Sequence, residues 1–181
     1  TQLVANAIYE LIPLTAARDD AAALPSHSRV TITTSTRLGL DATMSLAEWL
    51  AGRGHDVVPH IAARQIRDRA HVSDLLARLQ NANIRTIFVV GGDGAAVGEI
   101  TDGLALIRAL AEVGHRFDEI GVPAYPEGHP TIPDDVLLRD LREKQPLVQW
   151  MTTQMSFNPR AVARWIARIR REGIGLPIHL G

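Results

Sequence analysis

Seven short apolar, β-prone runs recur along this chain with helix-patterned segments between them, and this alternation limits the possible folds more than any other feature. The runs lie near Ala7–Pro13, Arg29–Thr34, Asp56–Ile61, Arg85–Val90, Glu119–Ala124, Leu147–Thr153 and Leu176–Leu180. Their starts are about 22 to 34 residues apart, the length of one strand plus one helix. Helix signals fill the gaps. Asp41 is positioned to cap a helix through Leu46, Trp49 and Leu50 that stops at Gly52 or Gly54. Asp68 opens another with Val72, Leu75, Leu76 and Leu79 on one face, and Leu104, Ile107, Leu110 and Val113 mark a third that ends at Gly114. Pro133 begins a fourth, with Val136, Leu137 and Leu141 inward. Asn158 caps a fifth with proline at its first position, followed by Val162, Trp165, Ile166 and Ile169. Only the connection between residues 15 and 28 is short and weak.

Strands alternating with helices imply a parallel sheet covered by helices. A doubly wound open sheet and a (β/α)8 barrel both fit. Three features favour the barrel: even spacing, strands apolar throughout, and a polar residue at the C-terminal end of nearly every strand. Those residues are Glu10, Thr33, His60, Asp93, Tyr125, Gln154 and His179, which a barrel would gather on one face. The predicted fold is therefore α/β, a single (β/α)8 TIM-barrel domain over residues 1–181. Ending after strand seven, it would be C-terminally incomplete, short of its last helix, strand and helix.

Nineteen basic residues against twenty acidic give a net charge of −1, so nothing points to nucleic acid or an anionic membrane as a partner. The absence of cysteine excludes disulfides, thiolate metal sites and cysteine nucleophiles, and fits a cytoplasmic protein. No apolar run reaches the roughly 20 residues that span a bilayer. Assembly into a homo-oligomer is left open.

The polar strand ends carry the candidate chemistry. Glu10, in Tyr9-Glu10-Leu11-Ile12-Pro13, is a carboxylate inside an apolar strand, where it must be paired, protonated or part of a site. A protonated carboxylic acid there would suit general acid catalysis; the plainer reading is a strand end facing water. Gly91-Gly92-Asp93-Gly94 follows a strand, and such glycines let backbone N–H groups approach a phosphate or a flat ring. A tight turn explains it equally well. The same spelling resembles the GGDG motif of diacylglycerol and NAD kinases, although no partner motif accompanies it. His60 could donate to a phosphate or be a core histidine. Gln154 offers a donor and an acceptor to a flat heterocycle, or simply ends a strand. His60, His129 and His179 are too scattered for a convincing zinc site. Asp102, Asp118 and the arginines from Arg160 to Arg171 read as solvated helix faces.

Taken in order, Glu10, Thr33, Pro59-His60, Gly92-Asp93, the run Ala124-Tyr125-Pro126-Glu127-Gly128-His129-Pro130, Lys144 and Thr153-Gln154 resemble methylenetetrahydrofolate reductase. The resemblance spans nearly the whole chain, and the run from Ala124 to Pro130 is its specific part. It implies an eight-stranded barrel that binds FAD at the C-terminal ends of its strands. NAD(P)H would reduce the flavin, and 5,10-methylenetetrahydrofolate would then receive hydride to become 5-methyltetrahydrofolate, the methyl donor for methionine synthesis. By position, Glu10 resembles the acid that opens the folate imidazolidine ring, and Asp93 the carboxylate near flavin and pterin. Gln154 resembles a pterin-reading amide, with Phe157 the surviving aromatic of the substrate pocket. Thr33, His60, Gly91, Gly92, Asp93, Tyr125, His129, Asp135 and Lys144 resemble the FAD contacts. This chain has Gly91 where the family usually carries arginine, and fewer aromatic residues in the first strand and after Gln154. A folate-binding protein of the same fold without flavin, and a GGDG-type nucleotide or lipid kinase, are the rival readings.

Overall fold

The computed structural model describes residues 7–181. They form two compact units, one ending at Asp118 and the other running from Glu119 to Gly181. The first holds β1 (Ile8–Leu11), α1 (Ala17–Ala22), β2 (Arg29–Ile32), α2 (Gly39–Ala51) and β3 (Asp56–Ala62). It continues with a 3-10 turn (Ala63–Gln65), α3 (Arg69–Asn81), β4 (Thr86–Val90) and α4 (Gly103–Val113). The second holds β5 (Glu119–Ala124), α5 (Asp134–Lys144), a 3-10 turn (Gln145–Leu147), β6 (Trp150–Thr153), α6 (Pro159–Arg171) and β7 (Ile178–His179).

Every strand pairing within a unit is parallel and joins neighbours in chain order. In the first unit β1 pairs with β2, β2 with β3 and β3 with β4. In the second β5 pairs with β6 and β6 with β7. That order settles the choice left by the sequence. A doubly wound sheet reverses direction at a switch point, so its early strands do not lie in the order in which they are made. Strands that follow one another, each with a helix in the return connection, are the repeat of a (β/α)8 barrel, and this chain carries it through strand seven.

The core of the first unit is the strand face that carries Val30, Ile32, Ile61, Ile87 and Val89, all fully buried. Helices supply the other half. Val72, Leu75, Leu76 and Leu79 are buried along α3, whose first turn is capped by Asp68 accepting from the amide of His71 at 2.8 Å. Burying four leucine- and valine-sized side chains contributes roughly 6 to 12 kcal/mol before entropy is subtracted, so this stripe fixes α3 on the sheet.

Several boundaries differ from those the sequence suggests. Asp41 does not cap α2; the helix starts at Gly39, and Asp41 in its first turn accepts from Nη1 of Arg78 at 2.7 Å. The buried stripe of α4 is Gly103, Leu106, Ile107, Ala109 and Leu110, while Leu104 is half-buried and Val113 is 37% exposed. So many residues of this helix are apolar that sequence offers more than one stripe, and packing on the sheet decides between them. The cap is Asp102, which accepts from the amide of Ala105 and so is no mere solvated side chain. β6 starts at Trp150 and not Leu147, because Gln145-Pro146-Leu147 forms a 3-10 turn and proline has no N–H for the ladder.

The largest departure is β1. It is four residues long, and its apolar side chains are not buried: Ile8 is 47% exposed, and Ile12 just beyond it 54%. The expectation of strands apolar and buried throughout fails here, and with it the argument that Glu10 sits inside a core. Glu10 is exposed to solvent.

Candidate active site

Register places the first unit's candidates. Glu10 is level with Thr31 and Thr31 with Val58, so their side chains share one face of the sheet. His60 lies two residues beyond Val58 on that same face, level with Phe88. This is the face opposite the one occupied by Val30, Ile61 and Ile87. Thr33, on the same face beyond the end of β2, donates its hydroxyl to the carbonyl of Leu11 at 3.5 Å, and its amide reaches that carbonyl at 2.9 Å. Glu10, Thr33 and His60 thus lie on one side of the sheet.

His60 stacks on Phe88 with ring centroids 4.7 Å apart. Burial lowers its pKa from the ordinary 6.5 to about 4, so the imidazole is neutral at physiological pH. It therefore resembles the core histidine of the plainer reading in its charge, while one ring nitrogen still carries a hydrogen to donate.

The Gly91–Gly94 turn follows β4. Gly92 has φ +88° and Gly94 φ +78°, the left-handed region that favours glycine. A Cβ on Gly92 would meet Cβ of Ala62 at 3.0 Å, so backbone passes close to backbone there. Asp93 at the apex is exposed and makes no ion pair among the described residues.

Sequence reasoning missed what holds this turn. Arg64, just after β3, donates Nη1 to the carbonyls of Gly92 (3.3 Å) and Gly94 (3.1 Å) and Nε to that of Thr101 (3.0 Å). Its own amide donates to Gly91 at 3.1 Å, and its carbonyl accepts from Val97 at 2.9 Å. The guanidinium expected to be missing because position 91 is glycine is supplied to the same loop from another strand end. The neighbouring Gln65 turns the other way, donating to the carbonyl of Ser35 at 3.2 Å and accepting from the hydroxyl of Thr34 at 3.3 Å. The available signal was only position: two polar residues directly after a strand's C-terminal end, where barrel sites are built.

In the second unit the run after β5 forms a tight turn, Gly128 donating to the carbonyl of Tyr125 at 3.1 Å. The Tyr125 ring meets His129 edge to face at 4.9 Å, and Nδ1 of His129 accepts from the amide of Thr131 at 3.3 Å. Glu127 accepts from the hydroxyl of Ser156 at 2.6 Å, tying the turn after β5 to the loop after β6. Gln154 donates its amide to the carbonyl of Ala124 at 2.7 Å and leaves its side chain exposed. Phe157 is 89% exposed. Asp135 stands exposed in the first turn of α5. Lys144 is buried, with its ammonium held by Asp140 one turn earlier, so it is engaged within its own helix. His179 stacks on Trp150 with centroids 4.9 Å apart, and Gly121 makes room for that indole: a Cβ there would lie 2.3 Å from it.

Among the described residues no three His, Cys, Asp or Glu side chains group to hold a metal ion. No helix among them is long and apolar enough to cross a membrane. The family model for methylenetetrahydrofolate reductase matches residues 11–181.

The chain belongs to the methylenetetrahydrofolate reductase family. The matched span includes the strand ends from Thr33 to Gln154 and supports a reductase-like role in folate-dependent one-carbon metabolism. Glu10 precedes the matched span by one residue.

For the flavin of methylenetetrahydrofolate reductases, the decisive observation is the turn after β4. Its carbonyls at Gly91, Gly92 and Gly94 are occupied by Arg64, and no acceptor among the described residues faces the amides of Gly92, Asp93, Gly94 or Ala95. Free amides on a glycine turn with open space over Gly91 fit the edge of a flat heterocycle. Lys144, already committed to Asp140, does not add to that fit.

Proposed function

We propose that this protein reduces 5,10-methylenetetrahydrofolate to 5-methyltetrahydrofolate, with NAD(P)H as electron source and FAD as the carrier. The reading is supported most by a donor-rich turn that presents Asp93 after β4, in a chain whose match to the family runs through its last residue. The same match favours it over a GGDG kinase.

Bound FAD supplies two-electron transfer between the nicotinamide and the one-carbon unit; the protein supplies position and proton handling. The free amides of Gly92 to Ala95 and the Asp93 carboxylate would hold the flat ring. Neutral His60 and Thr33 line the same sheet face. Glu10, open to solvent, takes a proton from water and passes it to the folate nitrogen that leaves the methylene carbon. Loss of that C–N bond makes the carbon a hydride acceptor. For the second unit the family resemblance assigns Gln154 and Phe157 to the pterin, and Tyr125, His129 and Asp135 to the cofactor.

The test is Glu10→Gln in flavin-loaded protein. Folate reduction falls on the order of 10²-fold or more while NAD(P)H oxidation by the flavin continues. Both half-reactions at wild-type rates would remove Glu10 from the mechanism. Protein that binds folate but takes up no flavin would favour the flavin-free reading.

A further inference from the structure

The Ala63–Gln65 turn is a hub. Arg64 reaches the loop after β4 through the three side-chain and two main-chain hydrogen bonds described above, and Gln65 reaches the loop after β2. One further bond extends the Val97 contact into a strap: Glu99 donates to the carbonyl of Arg67 at 2.9 Å. Gly98 between them has no room for a side chain, since a Cβ would lie 1.8 Å from the carbonyl oxygen of Arg67.

We propose that Arg64 is the positioning residue of the candidate site, setting the turn that carries Asp93. A guanidinium is a planar fork of five N–H donors and no acceptor. Spent on the carbonyls of Gly92, Gly94 and Thr101, it draws the oxygen side of the turn toward β3. The amides of Gly92 to Ala95 are left as a set of donors flanking the Asp93 carboxylate. Such a turn reads a flat ligand edge that alternates acceptors and donors. A lysine ammonium, which concentrates its charge at a point, cannot hold three separate carbonyls in this geometry. Gln65 shares the turn but serves the other neighbour, so the two side chains separate by function. Arg64 touches no reacting atom; it acts through Asp93 and the loop amides. The substrate assignment rests on the function proposed above, whereas the hold of Arg64 on the turn does not.

The experiment uses the full chain with Arg64→Ala, the milder Arg64→Lys, and Gln65→Ala as the internal control. Amide exchange at Val97 and Glu99, the hydrogen-bonded amides of this loop, is expected to accelerate about 10-fold in Arg64→Ala, with α3 unchanged, because local opening loses the bonds that hold the loop. In Gln65→Ala the acceleration moves to residues 33–36. If the wild type reduces folate, Arg64→Ala lowers kcat about 100-fold at nearly constant KM, the signature of misplaced groups and not of lost affinity. Arg64→Lys loses about 10-fold, and n-propylguanidinium restores activity to Arg64→Ala. Unchanged exchange at Val97 and Glu99 overturns the proposal. So does a lower melting temperature with kcat and KM both intact, which would make Arg64 structural only. A wild type that reduces no folate overturns the function above and leaves the exchange arm to judge Arg64.

Discussion

Glu10 and Asp93 are two carboxylates proposed for one reaction, and the protein holds them in opposite ways. Glu10 stands on a four-residue strand with Ile8 and Ile12 about half exposed beside it, and among the described residues no hydrogen bond to its side chain is seen. Asp93 stands on a loop whose backbone is gripped by five hydrogen bonds with Arg64, one of them from Val97, and by a sixth from Glu99 to Arg67 across Gly98. Neither carboxylate is buried. The difference lies below them: one has a thin strand for support, the other a knit rim. A site that must bring an acid to a substrate can leave that acid mobile until binding, whereas a loop that reads a ring edge must be set beforehand.

The contrast can be broken most directly at Gly98. Gly98→Ala drives a Cβ into the Arg67 carbonyl, and with backbone on both sides the strap must lift. The expected loss is about 3 kcal/mol or more, read from urea unfolding. A loss under about 1 kcal/mol would show the Asp93 rim to be no better supported than β1.

His60 sharpens the comparison, because β3 lies between the open strand and the knit one. Its pKa of about 4 in the folded protein lies below the 6.5 of an unfolded chain. Between those values the unfolded chain binds a proton that the native state refuses, so stability falls as pH drops from 6.5 toward 4 and the effect levels off below. The full effect is about 3 kcal/mol, and His60→Gln should remove it from a series of unfolding curves against pH. Identical pH dependence in the two proteins would mean that His60 is as open to water as Glu10.

The smallest effect belongs to β1. Ile8→Ser removes a side chain already 47% exposed and should change stability by less than about 0.5 kcal/mol. A cost of about 2 kcal/mol would reveal that something covers this strand in solution.

Much of the chain was legible because its signals are local. The four buried positions of α3 and its Asp68 cap follow from spacing alone, and so do the proline start of α6 and the strand core from Ile120 to Ala124. Where apolar residues are dense, as in α4, periodicity could not choose the face, and in β1 apolar character did not mean burial. The site divides likewise. Asp93 and the turn after β5 announce themselves as glycine- and proline-bounded runs. Arg64, Gln65, Gly98 and the Glu127–Ser156 contact carry no motif, since each matters for a partner about 30 residues away.

What the sequence by itself determined is the repeat: strand, helix and the polar residue after each strand, all consequences of patterning over a few turns of chain. Only the tertiary structure decided that the strands lie in chain order, that Glu10 meets water, and that an arginine after β3 grips the loop after β4. Those outcomes depend on which distant backbone groups are left to be hydrogen-bonded once neighbouring strands have paired, and no local pattern encodes that remainder.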